Sequence, residues 1–329
     1  MTGGLRVAIT GGSGFLGSRV AQTMLDLGAL TAGGQERRDI ASIRLIDRVE
    51  PQSALAADPR VEPVVGELTD LLAAGAIRDV DLVVHLAAAV SAECERDLDV
   101  GLSNNLDASR SLLDACRQLG SAPVFVFASS VAAFGAVAGY PLPDVVVDST
   151  MPIPRSSYGT QKVMVEHLLS DYSRRGYVRG RSVRLMMVTV RPGRPNAAAS
   201  SFVSGIIREP LNGERAVCPV APDIELAVSS PRTSIEGLLL ACTTTDAAWG
   251  PPTAMNLPAL TVTPREMAAA MDRVAGRPAS DLIDWKIDPA VVDVVASWPA
   301  RFRTDRANAL GLTAEPDVDT IIRSYLAER

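Results

Sequence analysis

Short apolar runs alternate with amphipathic stretches through the first 190 residues. Runs of the kind found in strands buried on both faces occupy residues 7–9, 43–46, 61–65, 82–84, 124–127 and 183–190. Between them, residues 98–119 and 158–172 carry apolar side chains at helical spacing. A strand and helix repeat of this kind predicts an α/β fold, a doubly wound parallel sheet with helices on its faces.

This alternation fades after residue 190. Prolines then punctuate short helical and extended segments, at positions 219, 222, 231, 251, 252, 258 and 264. We therefore predict a sheet domain over residues 1–190 and mainly a smaller α/β lobe over residues 191–329, with some segments of the lobe returning to the sheet domain.

Composition and charge narrow the class of protein. The 329 residues are 47% hydrophobic and 21% charged, and no apolar run is long enough to span a bilayer. The first residues lack the basic region and cleavage site of a secretory signal, so we expect a cytoplasmic protein. The net charge of -6 argues against nucleic acid or membrane as the main partner. Four widely spaced cysteines and two histidines predict neither a metal site nor disulfides.

A glycine-rich turn follows the first apolar run. Gly11, Gly14 and Gly17 are spaced three apart in TGGSGFLG, where a predicted strand gives way to a predicted helix. Missing side chains there let the backbone approach a pyrophosphate at the helix N-terminus, although the GxxGxxG spacing differs from the common GxGxxG. The turn predicts a dinucleotide site, to which we also assign Phe15 and Leu16.

Residues at the ends of later strands extend this predicted site. Asp47 ends the second apolar run, where a carboxylate accepts hydrogen bonds from the adenosine ribose and repels a 2′-phosphate. NAD is therefore favoured over NADP, although the adjacent Arg48 could meet a phosphate. The other cofactor-binding candidates come from the same edge of the sheet and are Glu67, Leu68, Leu86, Ala87, Ala88 and Val188.

Acid-base chemistry is predicted beside this nucleotide site. Tyr158 and Lys162 are four residues apart, which places them on one face of a helix. A nearby ammonium stabilises a phenolate and lowers the pKa of tyrosine from about 10, so Tyr158 can act as a general base. Lys162 can also hold the nicotinamide ribose. Ser130 follows the fifth apolar run, where its hydroxyl can hold the reacting oxygen of a substrate. This set predicts hydride transfer.

These motifs together resemble one family. TGGSGFLG, HLAA at 85–88, NLDAS at 105–109, Ser130 and YGTQK are similar to the extended short-chain dehydrogenase/reductase, or NAD-dependent epimerase/dehydratase, family over roughly the first 240 residues. The resemblance implies a Rossmann domain with a C-terminal substrate lobe, catalytic Ser130, Tyr158 and Lys162, and an Asn105 that orders the active-site helix and the cofactor. Glu67 departs from the family, which commonly has aspartate there.

Within the family, residues 191–202 and 204–211 are similar to the D-erythronate dehydrogenase group. The similarity implies NAD-dependent oxidation of a four-carbon sugar acid at C2 to the 2-oxo acid. Ser200 and Ser201 precede a helix predicted to begin near residue 202, so their hydroxyls and free N–H groups can receive a carboxylate. Arg232 can add a guanidinium to the same anion, and Ser91 is a candidate for a substrate hydroxyl.

Other functions and an assembly follow from the same resemblance. A nucleotide-sugar epimerase uses the same serine, tyrosine, lysine and NAD, and stays open as an alternative. A non-catalytic NAD(P)-sensing protein is disfavoured, because a sensor needs no general base. Family members also dimerise through a four-helix bundle, which implies a homodimer that buries Leu112, Leu113, Leu168 and Leu169 or their neighbours.

Overall fold

The computed structural model describes residues 3–193 and 198–328. Its strands are β1 (Leu5–Thr10), β2 (Ala29–Leu30), β3 (Arg38–Asp47), β4 (Val61–Val65), β5 (Leu82–His85), β6 (Val124–Ser130), β7 (Arg179–Leu185), β8 (Met187–Val188), β9 (Ala216–Cys218), β10 (Leu226–Ser229), β11 (Met255–Asn256), β12 (Leu260–Val262) and β13 (Ile283–Trp285). Its helices are α1 (Phe15–Leu27), α2 (Ser53–Ala56), α3 (Leu68–Ala73), α4 (Ser91–Arg96), α5 (Leu98–Gly101), α6 (Ala108–Leu119), α7 (Ser157–Arg174), α8 (Phe202–Leu211), α9 (Pro231–Thr243), α10 (Asp246–Trp249), α11 (Pro264–Ala275), α12 (Pro289–Val295), α13 (Asp305–Ala309) and α14 (Val318–Ala327).

In the described part of the chain, eight strands form the main sheet, in the order β11-β7-β6-β5-β1-β3, with both β4 and β2 pairing with β3. Every pairing is parallel except that of β2 with β3. The apolar runs explain this, because alternate residues face opposite sides: Val7 and Ile9 pack with α1 and α9, whereas Ala8 packs with α6 and α7. The predicted parallel α/β sheet with helices on its faces is confirmed.

The long spacing between the glycine turn and Asp47 comes from a small hairpin. Residues 29 and 30 pair antiparallel with residues 39 and 38 at the start of β3. The intervening segment is tied to the body of the protein, since Arg179 Nη2 donates to the carbonyl oxygen of Gly33 over 2.6 Å. The extra residues therefore lengthen the edge of the sheet and leave its order unchanged.

The second half of the chain builds a smaller lobe around its own core. A three-stranded sheet, β12-β10-β8, and a parallel pair, β13 with β9, pack with α8, α11 and α14. Two segments return to the main sheet: β11 pairs with β7, and α9 covers β6 and β7. The lobe and the sheet domain are thus joined by the returning strand and helix as well as by the chain crossing between β7 and β8.

The helix predicted over residues 98–119 is one helical stretch in three parts. Between α5 and α6, residues Leu102–Asp107 form a π-helical turn that buries Asn105. The leucines expected at a dimer interface lie elsewhere: Leu112, Leu113 and Leu169 pack against the sheet of their own chain, and Leu168 is partly buried beside them. That part of the expectation is wrong, because the apolar face of each helix is used by the intramolecular core.

Other structural observations concern the surface and the cysteines. None of the helices in the described residues is long and apolar enough to cross a membrane. Cys94, Cys116, Cys218 and Cys242 are buried and have free thiols. Over the described ranges, no group of three or more histidine, cysteine, aspartate or glutamate side chains is arranged to hold a metal ion.

Candidate active site

The glycine turn lies between β1 and α1 and closely approaches the next loop of the sheet. Gly11 has a φ of 68°, and a Cβ placed on it would lie 2.8 Å from the backbone nitrogen of Ala87. At Gly17 a Cβ would lie 2.1 Å from the carbonyl oxygen of Gly11. Gly14 occupies the N-cap position of α1 and has no side chain with which to cap it, so the N–H groups of the first turn are suited to an anion. The turn fits a dinucleotide pyrophosphate.

A cavity of about 250 Å³ extends from this turn along the ends of β3 and β4. Asp47 lines it, and its carboxylate is fixed by hydrogen bonds from the backbone N–H groups of Ser13 (3.0 Å) and Arg48 (2.7 Å). An oriented carboxylate at this strand end fits a ribose diol. Of the other predicted cofactor residues, Gly11, Gly14, Glu67, Leu68, Leu86, Ala87 and Ala88 line the same cavity. The sequence prediction missed Ser103, Asn104 and Ala108, which the helical stretch brings to its wall.

A second cavity, the catalytic cavity, has a volume of about 340 Å³ and continues from the glycine turn toward the small lobe. Ser130, Tyr158 and Lys162 converge on it from the end of β6 and the first turns of α7. The start of α7 is fixed by Ser156, whose hydroxyl accepts a hydrogen bond from the N–H of Gly159 over 3.0 Å. Phe15, Leu16, Gly17 and Val188, predicted for the cofactor, also line this cavity, as do Ser91 and Ser200, predicted for the substrate.

The three catalytic candidates are connected to one another. The Ser130 hydroxyl is hydrogen-bonded to Tyr158 and accepts a further hydrogen bond from the N–H of Ala132 over 3.1 Å. Lys162 Nζ lies 5.4 Å from the ring centroid of Tyr158 and donates to the carbonyl oxygen of Ala128 over 2.8 Å. The arrangement places a phenol, a hydroxyl and an ammonium around one point of the cavity wall.

The electrostatics of Tyr158 differ from the sequence expectation. Burial around its hydroxyl raises the pKa of Tyr158 to about 12, an effect opposed by the hydrogen bond with Ser130 and by the charge of Arg191. Burial also lowers the pKa of Lys162 to about 8. The expected lowering of the tyrosine pKa by Lys162 is therefore wrong for this structure, because desolvation of the phenolate outweighs the neighbouring charges.

Asn105 acts from behind the cavity rather than in its wall. Its Oδ1 accepts from the N–H of Ala89 over 2.7 Å, and its Nδ2 donates to Gln161 Oε1 over 2.8 Å. It thereby ties the Ala87–Ala89 turn to α7. Beside it, Ser109 bridges the Asn105 carbonyl and the ring of buried His85, at 2.5 and 2.8 Å. Burial lowers the pKa of His85 to about 3, so its ring is neutral near pH 7.

A buried ion pair supports the strand that carries Ser130. Glu166, one turn beyond Lys162 on α7, accepts from Arg184 Nε over 2.9 Å and from Nη2 over 2.7 Å. The hydroxyl of Ser129, next to Ser130, donates to the same carboxylate over 2.5 Å. The spacing of Glu166 from Lys162 is a helical repeat, but its partner lies on β7, so sequence periodicity alone could not identify the pair.

Two of the predicted substrate residues lie outside the cavity. Arg232 is the second residue of α9 and its side chain is 62% exposed, 3.7 Å from Glu236 one turn further along. Its position is solvent-facing because the other side of α9 packs on the main sheet. Ser201 lines a different surface groove with Glu209, although Ser200 lines the catalytic cavity. Arg232 and Ser201 are therefore not brought to the catalytic cavity.

Arg191 lines the catalytic cavity instead, together with Ala198 and Trp298 from the small lobe. Its charge acts on Tyr158, since it lowers the pKa of that phenol. The signal in the sequence is its position directly after the apolar run 183–190, whose second part, β8, already belongs to the sheet of the small lobe. Residues 194–197 of the following segment lie outside the described residues.

Comparison with known proteins agrees with this geometry. The family model described as "NAD dependent epimerase/dehydratase family" matches residues 7–225, two thirds of the chain. The chain belongs to this family. Its cofactor is NAD, which fits the glycine turn and the fixed carboxylate of Asp47.

Individual relatives cover nearly the whole chain. It is 46% identical to a D-erythronate dehydrogenase of Cupriavidus necator over 98% of both chains, and 39% identical to a D-erythronate dehydrogenase of Haemophilus influenzae over 98% of this chain and 99% of the relative. A solved structure described as a nucleoside-diphosphate-sugar epimerase from Agrobacterium tumefaciens superposes with a TM-score of 0.88, at 36% identity, over 99% of this chain and 94% of that one.

Proposed function

We propose that this protein is an NAD-dependent dehydrogenase that oxidises the C2 hydroxyl of D-erythronate to the 2-oxo acid. The observation that carries the proposal is the character of the catalytic cavity. Ser130 and Tyr158 face it together with the cationic side chains of Lys162 and Arg191, and none of the described residues lining it is an aspartate or glutamate. A cavity with acid-base groups and excess positive charge suits a small hydroxy acid in its anionic form.

The residues divide the chemistry among them. Ser130 donates a hydrogen bond to the C2 oxygen and holds it beside the phenol, and Tyr158 takes the hydroxyl proton. The charge of Arg191 and the interaction with Ser130 favour the phenolate, against the desolvation that raises the pKa of Tyr158. Bound NAD would supply the acceptor for the hydride from C2. The substrate loses one proton and one hydride, so the products are the 2-oxo acid and NADH.

A steady-state assay of sugar acids tests the function directly. We expect NADH formation with D-erythronate and NAD, and much slower turnover with its C2 epimer and with the neutral polyol erythritol. The product should react as a 2-oxo acid, for example with a hydrazine reagent. Absence of NADH formation with every four-carbon acid would refute the dehydrogenase assignment for this substrate class.

A nucleotide-sugar epimerase is the second candidate, favoured by the description of the Agrobacterium tumefaciens structure. Such an enzyme must bind a substrate diphosphate in addition to the cofactor pyrophosphate. In the catalytic cavity the described cations are Lys162, which is engaged by Ala128, and Arg191, so the dehydrogenase is better supported. Interconversion of nucleotide sugars without net NADH formation would reverse this preference.

We further propose a homodimer, paired through α5, the π-helical turn and α7. The buried leucines of these helices serve the core, but Leu98, Val100 and Met164 are exposed large apolar side chains on the same segments, at 55%, 38% and 43%. Light scattering at micromolar concentration should give twice the chain mass, and Met164→Glu should lower it. A monomeric wild-type mass would contradict the dimer.

The cytoplasm stays our prediction for the compartment, since the four buried free thiols suit a reducing environment.

A further inference from the structure

Arg191 has a fixed backbone and a side chain in the catalytic cavity. Its N–H donates to the hydroxyl of Ser204 over 3.1 Å, and its carbonyl oxygen accepts from Arg208 Nη1 over 2.7 Å. Both partners belong to α8, which packs in the core of the small lobe. The small lobe therefore fixes the backbone position from which the Arg191 side chain extends, while the sheet domain supplies Ser130 and Tyr158.

The charge of Arg191 acts on the catalytic tyrosine. It is electrostatically coupled to Tyr158, because its presence lowers the pKa of the phenol and the phenolate in turn favours its own charged form. Burial, and then the charge of Arg208, lower the pKa of Arg191, yet a guanidinium stays charged at any physiological pH. A partly buried cation next to the catalytic tyrosine is a strong site for an anionic group of the substrate.

The two other cations considered for this role are placed differently. Lys162 donates to the Ala128 carbonyl, and its Nζ lies 5.4 Å from the ring centroid of Tyr158. Arg232 points to solvent from α9. Ser91 and Ser200 line the same cavity as Arg191, and the Ser91 hydroxyl accepts from the N–H of Ala199 over 3.1 Å, so both are suited to polar contacts with the remaining substrate hydroxyls.

Resting on the proposed function, we propose that Arg191 is the specificity-determining residue that binds the substrate carboxylate and places the neighbouring C2 hydroxyl against Ser130 and Tyr158. A guanidinium can donate hydrogen bonds to both carboxylate oxygens at once, which fixes the orientation of the carboxylate as well as its distance. The carboxyl carbon is bonded to C2, so an anchored carboxylate leaves only the adjacent hydroxyl within reach of the base. The enzyme then selects 2-hydroxy acids by the position of one arginine.

The test compares acid and amide substrates in matched arginine variants. Arg191→Met keeps a long aliphatic side chain and removes the charge. Arg191→Lys keeps the charge but lacks the planar guanidinium that donates two parallel hydrogen bonds. Arg232→Met is the control, since it removes an equally long cation from the surface. The measurements are kcat/KM for D-erythronate and for D-erythronamide, the Kd for NAD by titration calorimetry, and Tm.

We expect Arg191→Met to lower kcat/KM for the acid by on the order of 10- to 100-fold, mainly through KM, because a charged hydrogen-bonded pair is lost. The rate with the amide should change far less, so the preference for acid over amide collapses. Arg191→Lys should fall between, and Arg232→Met should match the wild type. NAD affinity and Tm should be retained in all variants, because the backbone contacts of residue 191 do not use its side chain.

Different failures have different meanings. If the wild type oxidises the acid and prefers it to the amide, but Arg191→Met keeps that preference, Arg191 is not the anchor and the proposed function survives. A parallel loss of both substrates, or a loss of NAD binding, would also overturn the assignment of Arg191. If the wild type turns over acid and amide equally, no carboxylate anchor exists and this inference fails, while the proposed oxidation of D-erythronate stands. If it turns over neither compound, the proposed function fails and this inference fails with it.

Discussion

Replacing Glu166 by glutamine should destabilise the fold by about 3–5 kcal/mol, the usual cost of leaving a buried charge without its partner. Glu166 receives two hydrogen bonds from Arg184, at 2.9 and 2.7 Å, and the side chains are 5% and 4% exposed. Glutamine keeps the shape and one acceptor, but it removes the carboxylate charge that pairs directly with the buried guanidinium. The loss is a large part of the roughly 5–15 kcal/mol that holds a typical domain together.

Urea unfolding followed by circular dichroism measures this loss. The control is Asp223→Asn, which breaks a pair with Arg265 of similar geometry, at 2.7 Å, between side chains that are 71% and 63% exposed. That change should cost far less than Glu166→Gln, because water screens and solvates the separated charges. The double variant Glu166→Met with Arg184→Met should recover part of the loss, since it removes both buried charges.

A Glu166→Gln protein within about 1 kcal/mol of the wild type would refute the reasoning, because it would mean that the pair is solvated or that the arginine finds another acceptor. The same variant should lower kcat more than it weakens NAD binding. Ser129 donates to Glu166, and its neighbour Ser130 must hold the substrate oxygen in place.

Three further outcomes follow from the site. Tyr158→Phe should lower kcat by roughly 10²- to 10⁴-fold with little change in the Kd for NAD, because it removes only the base; near-normal turnover in the folded variant would exclude that role. Asp47→Ala should weaken NAD and reduce its advantage over NADP in paired KM measurements, and a wild type that already prefers NADP would contradict our reading of the carboxylate. His85 should make the fold sensitive to acid. Its pKa is lowered to about 3 in the folded state, so its contribution is fully present above the unfolded value of about 6.5 and is lost as pH falls, at roughly 1.4 kcal/mol per pH unit. His85→Gln should flatten the dependence of unfolding free energy on pH between 6 and 4, and an unchanged slope would count against neutral burial.

The sheet could be predicted from the sequence because its signal is local. Each strand buried on both faces has an uninterrupted apolar run in the sequence, and the glycine turn marks the end of the first strand and the start of its helix. Tyr158 and Lys162 could be found for the same reason, since a helical repeat places them together whatever surrounds the helix.

The substrate side could not be predicted in the same way. Arg232 and Arg191 both follow apolar strands and lie close to prolines, so nothing local distinguishes an arginine that faces the cavity from one that faces solvent. Which arginine faces the cavity depends on how α9 packs on the sheet and on how α8 holds residue 191. Both are contacts between segments that are distant in the sequence. The pKa of Tyr158 was missed because spacing shows proximity but not desolvation.

The return of β11 and α9 to the main sheet limits how this enzyme can be cut or recombined. A fragment ending at residue 190 would leave β7 as a bare edge and expose the apolar surface that Ile235 and Leu238 cover. Such a fragment is expected to aggregate rather than bind nucleotide. Exchanging the substrate lobe with that of a relative would therefore also require exchange of the interface between α9 and the sheet. Loops of the small lobe are the safer units for changing specificity.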